Sequence, residues 1–265
     1  MKHIFLSLLL AFNLVAAVIK APILSVDNEN LQATIKLERV DIGVSGFLVH
    51  TIVQNHTNIL KNVHVIAYDK ESKIATLQMS EFNALKNNAL PTGKWQPQVG
   101  DSIELAFGYS RALLVSPSEE IYHQITKSIK VQWVHVDIFA TILSYNGHPT
   151  PLKEDFEAMS IASSVGLLFI YLDTKLFTID IKSFVILNIS EAPLVQDSVK
   201  LPFYSRIETI DANWWGEGSD ELEDYEPHYY ELLVEHNKKN EKLYEIIKNG
   251  DKKNHFLLEK FELGK

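Results

Sequence analysis

The sequence predicts an α+β fold: a β-rich small barrel or sandwich, then an α+β unit with a three-strand meander, and a C-terminal helix. Three observations support this prediction. Short alternating apolar segments separated by turn residues fill residues 22–115. Helix-start signals begin at residue 116, and three apolar strand segments follow within the unit 116–210. Residues 211–265 are predicted to form an acidic aromatic loop and a lysine-containing C-terminal helix and tail.

The N-terminal unit carries the strand patterns. Apolar and polar residues alternate over 31–38, which predicts a half-buried strand with Leu31 on its buried face. The polar residues 69–72 separate two further strand segments, as in a hairpin. The segments 102–107 and 111–115 predict another strand pair. Six or so short strands with regular turns are typical of a small barrel or a sandwich. A short helix is expected over 81–90.

The helical signals of the second unit begin at Ser116. Residues 116–119 (SPSE) match the capping-box pattern with proline at the first helical position, so a helix is expected over 117–128. A second helix is expected over 136–144, ended by Gly147. A third is expected over 150–160.

Three apolar segments predict the meander of the second unit. They cover 167–172, 176–180 and 184–189 and are separated by short polar turns. The first segment is apolar throughout, so it is expected to be a central strand that is covered on both faces. A further strand is expected over 202–207.

The composition excludes several classes of function. The chain has 265 residues, no cysteine, a formal net charge of -9 and a pI near 5.6. Without cysteine there is no disulfide, no cysteine-ligated zinc or iron–sulfur site and no thiol nucleophile. The acidic balance argues against nucleic acid as a partner. The ten histidines show no metal-ligand spacing and are expected to be structural or exposed.

The first seventeen residues have the pattern of a secretory signal peptide. Lys2 and His3 precede a mostly apolar stretch over 4–15, and small residues end with Ala17, after which cleavage is expected. No later segment reaches the roughly 18 apolar residues that a membrane helix needs. We therefore expect an exported protein, in the periplasm or on the outer cell surface, with no integral span after cleavage.

The C-terminal part of the chain reverses its charge. Nine acidic residues and no lysine or arginine lie within 208–231, interleaved with Trp214, Trp215 and three tyrosines. Eight lysines then lie within 232–265. A single helix is expected over 228–249, followed by a frayed or weakly helical end. Exposed tryptophans supply large contact areas in interfaces, which makes this acidic segment a candidate recognition surface.

The carboxylates of this sequence have structural explanations. Glu154, Asp155 and Glu157 fit the first turn of a helix, where the macrodipole favours acidic residues. The acidic residues of 220–224 lack the spacing of an EF-hand. We therefore predict no enzyme activity, no cofactor and no metal site. A hydrolase is left as a remote alternative, which would require two carboxylates in a deep cleft.

Several segments resemble the N-terminal domain of the plasminogen-binding proteins of epsilonproteobacteria. The similarity is strongest in VGLLFIY (165–171), LFTID (176–180), SFVIL (183–187) and LPFYSRIE (201–208). This resemblance implies capture of host plasminogen at the bacterial surface through lysine contacts. Lys265, the last residue of the sequence, is the position to which the lysine role carries over directly. Lys252, Lys253 and Lys260 are expected to be auxiliary contacts.

An alternative function uses the acidic segment instead. In this hypothesis the protein is a structural periplasmic protein that binds an envelope partner through Trp214 and Trp215. The oligomeric state is left open by the sequence.

Overall fold

The first part of the fold is a closed barrel of six antiparallel strands. The computed structural model describes residues 18–54, 56–84, 95–194 and 198–264. The barrel, one of the two forms expected from the sequence, has the strand order β1-β2-β5-β4-β3-β6. Its strands are β1 (Ile19–Asp27), β2 (Gln32–Lys36), β3 (Ser45–Val53), β4 (His56–Asp69), β5 (Ile74–Glu81) and β6 (Ser102–Leu105).

Alternation along the strands builds the core of the barrel. In β2, Ala33 and Ile35 are buried, whereas their neighbours face outward. Leu31 does not join them, because it lies in the turn before β2 with a positive φ and is exposed. At Gly46 a side chain is excluded, since a Cβ there would lie 2.0 Å from the carbonyl oxygen of Glu104 on β6. Glycine therefore allows β3 and β6 to approach closely and close the barrel.

The second sheet is mixed and has five strands in the order β11-β10-β9-β7-β8. Strand β9 is buried along its whole length and lies between two neighbours, which confirms the central position expected for it. Strand β7 runs parallel to both β9 and β8, and the other pairs are antiparallel. The strands are β7 (Arg111–Val115), β8 (Gln132–Trp133), β9 (Leu167–Leu172), β10 (Lys175–Asp180) and β11 (Ile186–Glu191).

Strand β7 corrects the pairing expected for residues 102–107 and 111–115. Strand β6 closes the barrel, whereas β7, which we had grouped with the N-terminal unit, belongs to the second sheet. The physical reason is the apolar run from Ala112 to Val115, all of which is buried. A strand of this kind is stable in the middle of a sheet that is covered on both faces.

Six helical segments accompany the second sheet in the described residues. Helix α1 begins at Glu119, later than expected, because the N-cap is Ser118 and not Ser116. The Ser118 hydroxyl accepts a hydrogen bond from the Ile121 amide at 3.4 Å. Gly147 ends α2 in the left-handed conformation, as expected. The segments are α1 (Glu119–Ser128), α2 (Val136–Asn146), α3 (Lys153–Ser163), α4 (Tyr225–His236), α5 (Glu241–Asn249) and a C-terminal 3₁₀ helix (Lys252–Lys260).

The single C-terminal helix expected over 228–249 is two helices. The chain breaks between α4 and α5 at Asn237, whose side chain is buried against the second sheet. Its Oδ1 atom accepts a hydrogen bond from the Ile186 amide at 2.9 Å, and its Nδ2 atom donates to the Phe184 carbonyl at 3.0 Å. The side chain thus satisfies backbone groups beside β11, which a continuous helix would not do.

Two other expectations were wrong, and a third lies partly outside the described residues. The C-terminal end is not frayed, because the 3₁₀ helix buries Leu257 and Asn254. Residues 202–207 contain no strand. Of the short helix expected over 81–90, Glu81 ends β5 and residues 85–90 lie outside the described residues. Residues 1–17, where a signal peptide is expected, also lie outside them. No helix within the described ranges has the length and apolar character needed to cross a membrane.

A buried carboxylate, that of Asp180, connects the barrel to the second sheet. Its Oδ2 atom accepts hydrogen bonds from the Ser45 amide of the barrel at 2.9 Å and from the Tyr109 hydroxyl at 2.7 Å. Its Oδ1 atom accepts bonds from the amides of Lys182 at 3.0 Å and Ser183 at 2.8 Å. Four donors therefore compensate the loss of hydration of a fully buried charge.

We expect the Asp180→Ala substitution to lower the free energy of unfolding by about 3 kcal/mol or more, because it leaves buried donors unsatisfied. The Glu71→Ala substitution at an exposed position of the barrel is the control and should change it by less than about 0.5 kcal/mol. Urea unfolding followed by circular dichroism measures both values. Equal stability of the two variants would show that the Asp180 carboxylate does not hold the two parts together.

Candidate functional site

The aromatic residues of the acidic segment 208–231 divide into a buried and an exposed group. The three tyrosines of α4 are buried and belong to the core. The hydroxyl of Tyr229, for example, donates to the Pro202 carbonyl at 2.9 Å. The other two hydroxyls also donate hydrogen bonds. The Tyr225 hydroxyl donates to the Tyr171 carbonyl at 3.1 Å, and the Tyr230 hydroxyl donates to the Asp173 carboxylate at 3.0 Å.

The two tryptophans form the exposed group. Trp214 is 93% exposed and Trp215 is 79% exposed, so neither packs into the core. Tyr145 at the end of α2 is 90% exposed. Large aromatic side chains left in water have an unfavourable contact with solvent that a binding partner would remove.

The loop that carries the tryptophans is held at both ends, and we call residues 211–220 the Trp loop. Before the tryptophans, the Asn213 amide donates to the Gly147 carbonyl at 2.9 Å and its side chain donates to the Asn146 carbonyl at 2.6 Å. After them, the Thr150 amide donates to the Gly218 carbonyl at 3.1 Å. The Thr150 hydroxyl donates to the Asp220 carbonyl at 2.7 Å. These bonds tie the Trp loop to the end of α2 and to the connection before α3.

Exposed carboxylates surround the tryptophans in sequence. Asp211, Glu217 and Asp220 lie within the Trp loop, and Glu221 and Glu223 follow it. All five are exposed. Aromatic rings among carboxylates suit a ligand that carries positive charge, because the rings attract cations and the carboxylates add a long-range field.

The candidate lysines are not equivalent. The ammonium group of Lys253 lies 2.7 Å from Glu226 and 3.3 Å from Asp224. Lys260 forms an ion pair with Glu231 and lies 4.0 Å from Glu235. Both lysines therefore fasten the 3₁₀ helix to the acidic residues at and within α4.

Lys252 and Lys265, the other two candidate lysines, are not part of these ion pairs. Lys252 is exposed and forms no ion pair with any residue that the structure describes. Lys265 lies outside the described residues.

The pKa of the Lys253 ammonium group reflects its contacts with two carboxylates. Partial burial by itself would lower the pKa of this ammonium group, but the hydrogen bonds and charges of Glu226 and Asp224 outweigh that effect and raise the pKa above its ordinary value. Lys253 is thus charged and already bound within the chain. A partner that used it would have to displace two carboxylates.

The carboxylate group of α3 has a structural role. Asp155 is buried, and its oxygens accept bonds from the Asn146 side chain at 2.7 Å, from the His148 ring at 3.0 Å and from the Leu152 amide at 2.8 Å. It therefore caps the start of α3 and joins it to α2. No cluster of three or more histidine or acidic side chains that could hold a metal ion occurs among the described residues.

One feature of the surface had no signal in the sequence analysis. A cleft of about 780 Å³ lies between the outside of the barrel and the second unit. Lys182, His64 and His236 line it, from three elements that are distant in sequence. Each of the three is unremarkable in its own segment, so only the assembled fold brings them together.

Comparison with known proteins places the chain in a family. The sequence model of the family described as "Plasminogen-binding protein pgbA N-terminal" matches residues 18–233, which include the barrel, the second sheet and the Trp loop. The chain belongs to this family, which confirms the resemblance found in the sequence.

Two curated relatives carry the name of a binding protein. Plasminogen-binding protein PgbA from Helicobacter pylori strain J99 is 28% identical over 204 residues, which cover 76% of this chain and 44% of the relative. The protein of the same name from strain 26695 is 28% identical over 206 residues with the same coverage. The chain thus matches less than half the length of these relatives. No solved structure matches it.

The two aromatic groups should respond differently to truncation. We expect Trp214→Ala and Trp215→Ala each to change the free energy of unfolding by less than about 0.5 kcal/mol, because both side chains are exposed. Tyr229→Ala in the same segment should cost about 3 to 5 kcal/mol, because it opens a cavity in the core. Thermal and urea unfolding measure these values. A large loss of stability in either tryptophan variant would contradict the exposed position of that side chain.

Proposed function

We propose that the protein is an exported, non-enzymatic binding protein of the cell envelope that captures plasminogen through lysine side chains. Membership in the family over residues 18–233 is the observation that supports this proposal. The relatives named as plasminogen-binding proteins supply the partner. The signal-peptide pattern of residues 1–17 supports export to the periplasm or the outer surface.

In this proposal Lys265 is the principal ligand and Lys252 supports it. A lysine-dependent contact requires an ammonium group that a partner's carboxylates can reach. Lys252 meets this requirement, whereas Lys253 and Lys260 are already paired with acidic residues of the chain. One lysine side chain makes few contacts, so we expect a Kd in the micromolar range, about -8 kcal/mol.

A binding assay with immobilised protein tests the lysine proposal. Plasminogen should bind in the micromolar range, and a free lysine analogue should compete. We expect Lys265→Ala to weaken binding about tenfold or more and Lys252→Ala to weaken it less. We expect Lys253→Ala and Lys260→Ala to act mainly by loosening the 3₁₀ helix, with small effects on binding. Surface plasmon resonance measures all four.

The control for these variants is Lys127→Ala, which removes an exposed lysine of α1 far along the chain from the basic segment. Its affinity should equal that of the unmodified protein. Absence of plasminogen binding, or full binding by the Lys265→Ala and Lys252→Ala double variant, would refute the lysine proposal.

A second function is supported by the Trp loop. The exposure of Trp214 and Trp215 on a loop that is tied down at both ends favours recognition of an envelope partner through the acidic aromatic surface. An anchored loop loses little conformational freedom on binding, so more of the interaction energy is available for affinity. The charges of this surface suit a basic partner, whereas the lysine proposal requires an acidic one.

Pull-down from the envelope of the source cell tests this second function. The Trp214→Ala and Trp215→Ala double variant should lose its co-purifying partner, because hot-spot tryptophans contribute about 2 kcal/mol or more each. The Lys265→Ala variant should retain it. The same double variant should still bind plasminogen if only the lysine proposal holds, so the two variants separate the functions.

A further inference from the structure

The cleft between the barrel and the second unit has walls from distant parts of the chain. Strands β3 and β4 and the end of β5 contribute the barrel side, and α3, the turn after β10 and the end of α4 contribute the other. Alternation in β4 directs Val63 and Val65 into the barrel, which leaves Asn62 and His64 on the outside, facing the cleft. Its volume of about 780 Å³ is in the range of small-molecule sites.

The ammonium group of Lys182 lacks an anionic partner in this cleft. It lies 3.9 Å from the centre of the Phe47 ring and is half-buried. No carboxylate within the described ranges forms an ion pair with it. Glu157, which also lines the cleft, is paired with Lys153. A cation that is partly removed from water without a partner favours binding of an anion.

Lys182 remains mostly charged near neutral pH. Burial lowers the pKa of its ammonium group to about 8, although the nearby charges of Asp180 and Glu157 oppose that shift. The side chain is therefore cationic at pH 7, and an added negative charge beside it would stabilise it further.

Two imidazoles line the same cleft. Burial lowers the pKa of His64, and it lowers the pKa of His236 to about 4, so both rings are neutral at pH 7. A neutral imidazole carries one N–H donor. Neither ring forms a hydrogen bond through its side chain with a residue that the structure describes, so both donors are available to a ligand.

Aromatic rings form one apolar wall of the cleft. Phe47 contacts Phe82 and Phe107 with ring centroids 5.7 and 5.3 Å apart. Phe107 is exposed toward the cleft, and so is Ile161 of α3. The cleft thus combines a cationic and hydrogen-bonding end with an aromatic wall.

We propose that this cleft binds a small carboxylate with an apolar body, whose carboxylate contacts Lys182 and the two imidazoles while its body packs on Phe107 and Ile161. Lys153, the other lysine that lines the cleft, is paired with Glu157, so Lys182 alone is left to balance one negative charge. A phosphate dianion fits less well, because none of the described residues that line the cleft is an arginine. A cation fits less well, because both carboxylates that line the cleft among the described residues are already paired, Glu157 with Lys153 and Glu81 with Lys61. This site is separate from the lysines and tryptophans of the proposed function.

Isothermal titration calorimetry with 4-phenylbutyrate tests the proposal on the purified protein. We expect saturable binding with a Kd of roughly 1 mM or lower. The comparison ligand is 4-phenylbutylamine, which has the same apolar body and the opposite charge, and it should bind at least tenfold more weakly. No saturable binding of the acid, or equal binding of the two ligands, would overturn the proposal.

The matched variants are Lys182→Met and Lys175→Met. Methionine preserves much of the apolar stem over Phe47 but removes the charge, so Lys182→Met should weaken binding of 4-phenylbutyrate about tenfold. Lys175 lies on β10, pairs with Glu191 at 2.9 Å and does not line the cleft, so its variant should bind normally. Unchanged affinity in Lys182→Met would contradict the proposal.

A measurement on the unmodified protein tests the same site without relying on correct folding of the variants. NMR of ¹⁵N-labelled histidine side chains should show saturable shifts of His64 and His236 on addition of 4-phenylbutyrate. His50, which is bonded to Asp101 at 2.7 Å away from the cleft, should not shift. Shifts confined to other histidines would place the ligand elsewhere and refute the site.

Discussion

The arrangement of the whole molecule depends on the buried carboxylate of Asp180. Burial of this charge is tolerated because donors from the barrel and from the turn after β10 converge on it. The same junction includes Gly43, whose positive φ and lack of a side chain leave room for Val185. The Ser183 hydroxyl donates to the Gly43 carbonyl at 2.7 Å. Lys182 enters the cleft from this turn, so one interaction both joins the units and positions the cleft.

Part of the charge of the C-terminal acidic and basic blocks is paired within the chain. Two of the three lysines of the 3₁₀ helix pair with acidic residues of the preceding block, Lys253 with Glu226 and Lys260 with Glu231. Attraction between the two blocks thus holds the end of the chain on α4. The carboxylates of the Trp loop are the part of the acidic block that stays exposed beside unpacked aromatic rings. The Trp loop therefore offers exposed negative charge to a partner, and Lys252 offers an ammonium group that no described residue pairs.

Expectations based on local patterns were confirmed where the residues of the segment itself determine its conformation. Gly147 ends α2, and the apolar segment 167–172 is the central strand β9, because conformational freedom and complete burial are encoded locally. Expectations failed where a distant contact decided the outcome. Ser116 and Ser118 are both capable caps, but the Ser116 carbonyl accepts a hydrogen bond from the distant Tyr204 amide at 2.8 Å, and Ser118 is the cap. Asn237 breaks a helix-compatible segment because backbone groups near β11 require its side chain.

The sequence by itself determined the α+β class, the family, the positions of most strands and the acidic and basic blocks, since each depends on residue order alone. Only the tertiary structure decided that β7 joins the second sheet, that Trp214 and Trp215 are exposed while the neighbouring tyrosines are buried, and that two of the candidate lysines are paired. It also brought Lys182, His64 and His236 to one cleft. The reason is that burial and charge pairing are properties of contacts between segments, which a linear pattern does not contain.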